Sequence, residues 1–398
     1  MEWKKYSVED NSLSLTGILG IFLLLASFYF KSWQVFLAAV IFLLLIFANS
    51  FYMKNLGKKL VMQNPKKRHK FFPDEEGNWT LEFENKGLPI LSGELKVFFD
   101  DSVAPLNYEL AERFGRYELN IPFSLNYNEQ KIVTIPFAAR KRGVAKIRKL
   151  ELHVPHFFGF GETILEYRTP IKQEALVYPV RLPVNNKLSF FKDRQGTSQA
   201  AYSLFEDRLS PAGTRQYVST DSFNRIHWKA SARKQTLQTK IFDRVAEIGW
   251  NISLNVSAGH SISGQLEELI SSAADMAYYW MKQEVPFSLC VNIRVAGSTP
   301  FYFIPAGSGN KHLQKVLETL ALVDNHSSLY PYEKMLSYYK THLATQPYFM
   351  HAGYSKPSTV NMLNLISQDG TLLYELHLSG KDAVIQPLQI KMKEVAGR

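Results

Sequence analysis

Two uncharged apolar runs stand near the start of the chain, and behind them the spacing of hydrophobic positions changes character twice. Leu13 to Phe30 and Trp33 to Met53 contain no charged side chain, and only Lys31 and Ser32 lie between them. Each run is close to the ~20 apolar residues that a membrane-crossing helix needs. The pattern predicts two transmembrane helices over residues 13–53, joined by a tight turn. A cleaved leader fits poorly, because the second run follows at once with no small-residue cleavage site between them. Beyond residue 73 the period drops to two. Trp79-Thr80-Leu81-Glu82-Phe83-Glu84 alternates apolar with polar, as a half-buried strand does. Leu91 to Phe99, Arg116 to Phe123, Lys131 to Phe137 and Val144 to Val154 follow, separated by turn signals such as Asn85-Lys86-Gly87 and Arg142-Gly143. Short strands at that spacing predict an all-β sandwich over 73–180. From residue 246 the strand and helix periods alternate. Gly249 to Val256 reads as a buried strand, Gln265 to Lys282 as a helix and Pro286 to Ile293 as another strand. Such an order predicts a βαβ unit and a parallel sheet, hence an α/β domain over 246–398.

Charge changes the picture at one place. The 398 residues carry a net charge of +10, with 46% hydrophobic and 21% charged side chains, a balance that excludes wholesale disorder. Lys54, Lys58, Lys59, Lys66, Lys67, Arg68 and Lys70 account for +7 without one acid among them, which leaves +3 for residues 71–398. A basic run directly behind an apolar one is the positive-inside signal. It puts residues 54–398 on the cytoplasmic side of a cell membrane and, across a two-span hairpin, residues 1–12 as well. Residues 54–72 are then a basic juxtamembrane linker attracted to anionic lipid, and nucleic acid is not expected. A single cysteine excludes a disulfide scaffold and a cysteine-rich metal site.

The most specific stretch runs from Glu206 to Arg233. Asp221 stands where a helix N-cap would, with Phe223, Ile226, His227 and Ala230 on one helical face and Arg225, Lys229 and Arg233 on another. The segment, within 181–245, is expected to bridge the two soluble domains, with Trp228 buried and Asp221 capping or paired to an arginine. Its residues Arg215, Tyr217, Asp221, Arg225, Ile226, Trp228, Lys229, Ser231, Ala232 and Arg233 resemble the hallmark of the bacterial domain of unknown function 58 family. Thr220 replaces the glycine usual before the aspartate. Lys141-Arg142-Gly143 followed by Pro155-His156-Phe157-Phe158-Gly159, and Val177-Tyr178-Pro179, are similar to further segments of that family. The resemblance implies an N-terminal membrane hairpin and a von Willebrand factor A-like α/β domain. It also implies a partner, a MoxR-type AAA+ ATPase, often accompanied by a membrane transglutaminase-like protein.

A domain of that kind often binds a divalent cation through D-x-S-x-S after its first strand, where hard oxygen ligands suit the ion. Here the stretch is Asn255-Val256-Ser257-Ala258-Gly259, so the carboxylate and one hydroxyl are lost. A degenerate site at Asn255, Ser257 and Gly259, and no metal or cofactor, is the expectation. Other chemistry is thin. Ala306 to Lys311 lacks the full phosphate-loop spacing, His153 and His156 sit at a predicted strand end without an obvious acidic cluster, and Cys290 lies mid-strand without a base. The expected function is a non-enzymatic membrane-anchored adaptor. A cation-dependent ligand-binding module and an enzyme of unrecognised type are the alternatives.

Overall fold

The computed structural model describes residues 2–8, 12–106, 111–113, 116–156, 161–187, 206–244, 249–380 and 382–388. The chain divides into two units, Met1–Pro179 and Val180–Arg398.

In the first unit, α1 (Ser12–Tyr29) and α2 (Trp33–Asn55) follow one another closely. Gly20 of α1 lies against Leu43 and Phe42 of α2, and the rings of Phe28 and Phe36 meet at 5.6 Å. The outer faces stay apolar and exposed, as at Phe22, Leu44 and Phe47. α2 has 23 residues and is long and apolar enough to cross a membrane. Before and after these helices, the described residues of this unit make twelve strands: β1 (Trp3–Val8), β2 (Leu60–Gln63), β3 (Lys67–Phe71), β4 (Glu76–Asn85), β5 (Ile90–Asp100), β6 (Val103–Pro105), β7 (Ala111–Arg113), β8 (Arg116–Leu125), β9 (Glu129–Ala139), β10 (Gly143–Pro155), β11 (Glu162–Tyr167) and β12 (Gln173–Val177). One sheet runs β1-β11-β10-β5-β8-β7, with β12 against β10 and β3 against β12; the other runs β2-β4-β9-β6. Alternate residues of both sheets turn into one core, where Trp79 of β4 meets Phe99 of β5 at 5.4 Å and Phe83 meets Phe123 at 5.0 Å. Two sheets share one apolar interior, which is a sandwich.

Two expectations about the ends of this region change. Residues 54–72 are not simply a linker: β2 pairs with β4 and β3 with β12, so that Lys67, Arg68 and Lys70 of the basic stretch lie within a sheet, while Lys54, Lys58, Lys59 and Lys66 do not. Residues 3–8, within the N-terminal segment 1–12, belong to a sheet as well. They form β1, paired antiparallel with β11 from Trp3↔Tyr167 to Val8↔Glu162.

The second unit is built on a seven-stranded sheet. Its order is β13-β23-β22-β21-β16-β19-β20, from β13 (Val184–Asn185), β16 (Trp250–Asn255), β19 (Phe287–Arg294), β20 (Phe301–Gly307), β21 (Tyr348–Gly353), β22 (Leu372–Ser379) and β23 (Asp382–Pro387). The central four are parallel. A short pair, β17 (Ser257–Ala258) and β18 (Ser261–Ile262), follows β16. Of the helices, α3 (Trp228–Lys234) lies outside this sheet and α4 (Leu266–Lys282) covers one face, stacking Trp280 on Trp250 at 4.9 Å. The ladder's period of two sends the neighbouring residues to the opposite face, where α6 (Tyr332–His342) and α7 (Pro357–Gln368) pack on Cys290 and Phe349. α5 (Gly309–Leu322) contributes Leu313, Val316 and Leu320 to the buried interior. From β16 the chain goes through α4 to β19 on one side, and returns later as β21 on the other. The strand order reverses at β16, the place where open α/β sheets present a crevice. The remaining strands, β14 (Glu206–Gln216) and β15 (Gln238–Arg244), form a two-stranded ribbon of their own, and Thr239 of β15 also bridges Ile226.

Candidate functional site

Two places in the second unit gather polar side chains, and they do so in opposite ways. The first is the ribbon of β14 and β15 with the excursion between them. Arg215 lies opposite Thr239 in the antiparallel register. Its Nη1 donates to Asp221 Oδ2 at 2.7 Å, while Val218 N–H and Thr239 Oγ1 donate to the same oxygen at 3.1 and 3.0 Å. Nη2 donates to Oδ1, so the pairing is bidentate. Arg215 beside Asp221, helped by the Val218 N–H, holds the carboxyl down to about 2. Asp221 is thus the knot of a turn and not an N-cap.

A single 3-10 turn, Phe223–Arg225, follows, and the α-helix starts only at Trp228. His227 caps it, its Nδ1 accepting from Ala230 N–H at 3.2 Å. Ser231 ties the helix to β15: its Oγ donates to His227 O at 3.0 Å and accepts from Gln238 N–H at 2.8 Å. Ile226 plugs the base of the turn at 2% exposure. The helix stops at Gln235, which takes the left-handed conformation at φ +54°.

This arrangement revises the expected cationic stripe and the expected buried tryptophan. Arg225 sits half-buried on the 3-10 turn, off the α-helix, so only Lys229 and Arg233 keep the four-residue spacing. Trp228 is 59% exposed and Phe223 68%, their rings in edge contact at 5.5 Å. The sequence pattern placed Phe223 and Ile226 on one helical face, but without a helix there the two diverge. Tyr217, Ala232 and Arg233 complete the hallmark positions. Tyr217 OH donates to Asp221 O at 3.3 Å, and the other two are exposed. From Gly213 to Ile241 the chain has six cationic side chains and one acid, Asp221, and that acid is held by Arg215.

The second place is the carboxyl edge of the parallel strands. Asn255 Oδ1 accepts from Ser257 Oγ at 2.6 Å, from Ser257 N–H at 3.2 Å and from Asn292 Nδ2 at 3.0 Å. Its Nδ2 donates to Tyr354 O at 2.6 Å, and Asn292 Oδ1 takes the Val256 N–H at 2.8 Å. Gly353, at φ +110°, allows this approach, since a Cβ there would collide with the Asn255 carbonyl oxygen. The residues do not fit a cation. The oxygen that would ligate an ion already accepts three donors, an amide N–H₂ fills the other half of the group, and Gly259 offers open space where a second hydroxyl would stand.

Next to it runs a chain of neutral groups. Ser253 Oγ and Tyr332 OH share a hydrogen bond at 2.8 Å, Tyr332 OH and His351 Nδ1 another at 2.7 Å, and His351 Nε2 and Ser355 Oγ a third at 2.7 Å. Ser253 and His351 are fully buried, whereas Ser355 is half-buried. Burial holds the His351 imidazole down to about 4 and raises the Tyr332 hydroxyl and the Cys290 thiol. Cys290 contacts Asn251 Oδ1 at 3.5 Å. Sequence reasoning missed this relay, because Ser253, Tyr332 and His351 are far apart in the chain; only the strand register joins them.

One further correction concerns His153. It lies inside β10, with Glu162 Oε2 at 3.1 Å and Glu151 Oε2 at 3.2 Å. One acidic neighbour stands two residues back in the sequence and the other arrives from the adjoining strand. His156 is buried beside Thr163, and residues 157–160 fall outside the described residues.

Among solved structures, the chain is similar to the CARDB domain of the PF1109 protein of Pyrococcus furiosus, at 12% identity over 30% of this chain and 90% of that one, with a TM-score of 0.18. A putative membrane anchored protein of Corynebacterium diphtheriae gives 12% identity over 30% of this chain and 32% of that one, with a TM-score of 0.22. A non-cellulosomal cohesin of Archaeoglobus fulgidus gives 8% over 34% and 99%, with a TM-score of 0.21. No curated protein matches. Residues 213–344 match the family model described as "Protein of unknown function DUF58", a span that holds both polar clusters except for His351 to Ser355.

Proposed function

We propose that this chain, with its DUF58 match from residue 213 to 344, is a non-enzymatic membrane-anchored adaptor that docks a partner protein through the face around Trp228. The observation that carries the reading is the exposed pair Phe223 and Trp228, set among Lys229, Arg233 and Lys234. A bare tryptophan edge-packed on a bare phenylalanine, on a segment that also carries exposed cations, has the composition of an interface hot spot. The buried edge, in contrast, spends its polar atoms on one another. The partner that suits the face is an acidic protein surface, and family resemblance points to a MoxR-type AAA+ ATPase, with a membrane transglutaminase-like protein as a client. On this reading the seven-stranded unit is a von Willebrand factor A-like domain whose cation site has closed over Asn255.

The anchor is proposed as two spans with both soluble parts on the cytoplasmic side. Support comes from β1: residues before α1 hydrogen-bond in register with β11, as two spans that bring the chain back to the side it left would allow. One crossing by α2 alone would separate two strands of the same sheet. The basic residues after α2 favour the cytoplasmic side for that sheet.

The test uses the purified full chain in detergent and a MoxR-type ATPase without nucleotide. Reversing Lys229 and Arg233 to glutamate is expected to weaken capture, with the wild-type interaction weakening as salt rises, since exposed charges are screened over about 10 Å at 0.1 M. Undiminished capture by the reversed variant removes the docking face.

A further inference from the structure

Both helices of the first unit join its sandwich at one end, and two loop tips stand at that same end. α2 does not hang on a linker: Met53 and Leu56 belong to the apolar interior that also holds Trp79 and Phe83, and Lys5 Nζ of β1 donates to the Met53 carbonyl. Loop 86–91 is fastened to this junction. Lys86 N–H donates to Lys59 O at 3.1 Å, and Tyr52 OH of α2 donates to Pro89 O at 2.6 Å. Loop 126–128 is fastened to loop 86–91 in turn, through Asn85, which is 1% exposed. Its Nδ2 donates to Leu88 O at 2.8 Å and to Asn126 O at 3.3 Å, and its backbone carbonyl accepts from Asn128 N–H at 2.7 Å. The strand register agrees. Val8, the last residue of β1 before α1, lies opposite Glu162, as does Pro155 at the end of β10. Ile90 of β5 lies toward that end of β10 and pairs with Leu125.

What these tips expose is apolar. Leu91 is 55% exposed and Tyr127 71%, the latter on a turn that Asn128 closes at φ +55°. Isolated apolar side chains on a surface need no explanation; these two are set apart by their height along α2. Counted from Trp33, the ~20 residues that cross the hydrocarbon end at Tyr52. The hydroxyl that marks this boundary is the one that holds Pro89, and Leu91 stands two residues further on. Lys54, Lys58, Lys59 and Lys86 are exposed around the same junction. Leucine at the edge of the hydrocarbon, tyrosine among the headgroups and lysines reaching anionic lipid are the composition of a membrane interface.

We infer that Leu91 and Tyr127 dip into the lipid interface of the leaflet where α2 ends, so that the sandwich is seated on the bilayer and not merely tethered to it. The inference rests on the proposal that α2 crosses the membrane. It goes beyond a general attraction of basic residues to anionic surfaces, because it assigns two apolar side chains whose height the fold fixes. The bilayer is chosen as occupant over a second protein because the helix that enters it is itself hydrogen-bonded to one of the two loops.

The experiment places the full chain in lipid nanodiscs of phosphatidylglycerol and phosphatidylcholine and measures depth with a thiol-linked fluorophore. Cys290, the one cysteine of the chain, is buried, so a cysteine introduced at the surface is labelled selectively. Four variants are compared: Leu44→Cys on the outer face of α2, Leu91→Cys, Tyr127→Cys, and Arg140→Cys at the far end of β9, on the order of 30 Å from the loop tips. Each is quenched by aqueous iodide and, separately, by a phospholipid carrying a nitroxide. Labels at 91 and 127 should be quenched by the nitroxide lipid, and their quenching by iodide should be several-fold below that at 140. Iodide quenching at 91 and 127 equal to that at 140 overturns the seat. Shielding from both quenchers means that protein covers the tips, and overturns the lipid assignment. The label at 44 tests the span by itself. If it escapes the nitroxide lipid, the crossing fails and the seat with it; if it is quenched while 91 and 127 stay in water, the seat alone is removed and the anchor stands.

Discussion

The ribbon at Arg215–Asp221 and the sheet edge at Asn255–Asn292 use polar side chains to hold a turn, yet only the ribbon uses charge. At the ribbon, water screens the pair and the arginine grips both carboxylate oxygens, so ionisation costs little. At the edge, Asn255 and Asn292 are 4% and 0% exposed, and an unpaired carboxylate would be expensive there. An amide does the same geometric work without the charge. The difference teaches where exchange with a partner can occur: the buried cluster has no unused strong acceptor, whereas the exposed one leaves its aromatic and cationic groups facing solvent.

The sharpest way to break the comparison is Asn255→Leu. It strands Asn292 Nδ2, two Ser257 donors and the Tyr354 carbonyl. Several unsatisfied buried groups cost on the order of 3 kcal/mol or more, and the melting temperature of the second unit should fall by roughly 10 °C. An unchanged melting curve would mean that the edge opens to water.

Titrating His351 is the next largest effect. Its imidazole is held at about 4 against an ordinary 6.5, first by burial and then by His377, with a backbone hydrogen bond at Gly353 opposing. The unfolded chain therefore takes up the proton first as pH falls. This contribution is complete above about 6.5 and declines toward 4, by on the order of 3 kcal/mol. Urea unfolding across that range checks it, and His351→Gln should flatten the dependence.

Asp221 sharpens the contrast from the other side. Its carboxyl is held below the ordinary 3.8, at about 2, chiefly by Arg215. Its contribution is present above the ordinary carboxylate range and is lost as pH falls through about 2, a window separate from that of His351. Exposure to solvent makes it the weaker of the two. Hydrogen exchange at the Val218 amide, which Asp221 accepts, should accelerate in that window and also in Arg215→Ala at neutral pH. Smallest of all in stability is Trp228→Ala, which should leave the melting temperature within about 1 °C because the ring is mostly in solvent.

Much of this architecture was legible in the sequence, wherever local period and burial agree. The alternation at Trp79–Glu84 and the βαβ order from Trp250 to Arg294 are read directly, because each strand there has an apolar face or an apolar body. β1 was not legible: Trp3 to Val8 carries two lysines, and its burial depends on a partner strand 160 residues away. The basic stretch misled for a related reason. Lys67 to Phe71 looks like a solvated run, yet β3 is nearly all exposed while still paired along β12. At the ribbon, Phe223 and Ile226 matched a helical spacing that a 3-10 turn interrupts. At the sheet edge, the loss of the acidic ligand was visible as Asn255, but the hydrogen bonds that replace it depend on Asn292 and Tyr354, which nothing near residue 255 announces.

The central claim is that function resides on the open face at Trp228 and not in the closed edge at Asn255. The most direct measurement is the Kd of the full chain for a MoxR-type ATPase without nucleotide, for wild type and Trp228→Ala, each with and without a chelator. The account predicts a loss of tenfold or more for Trp228→Ala, as for a hot-spot tryptophan, and no effect of the chelator. Wild-type affinity in Trp228→Ala together with binding abolished by the chelator would contradict it.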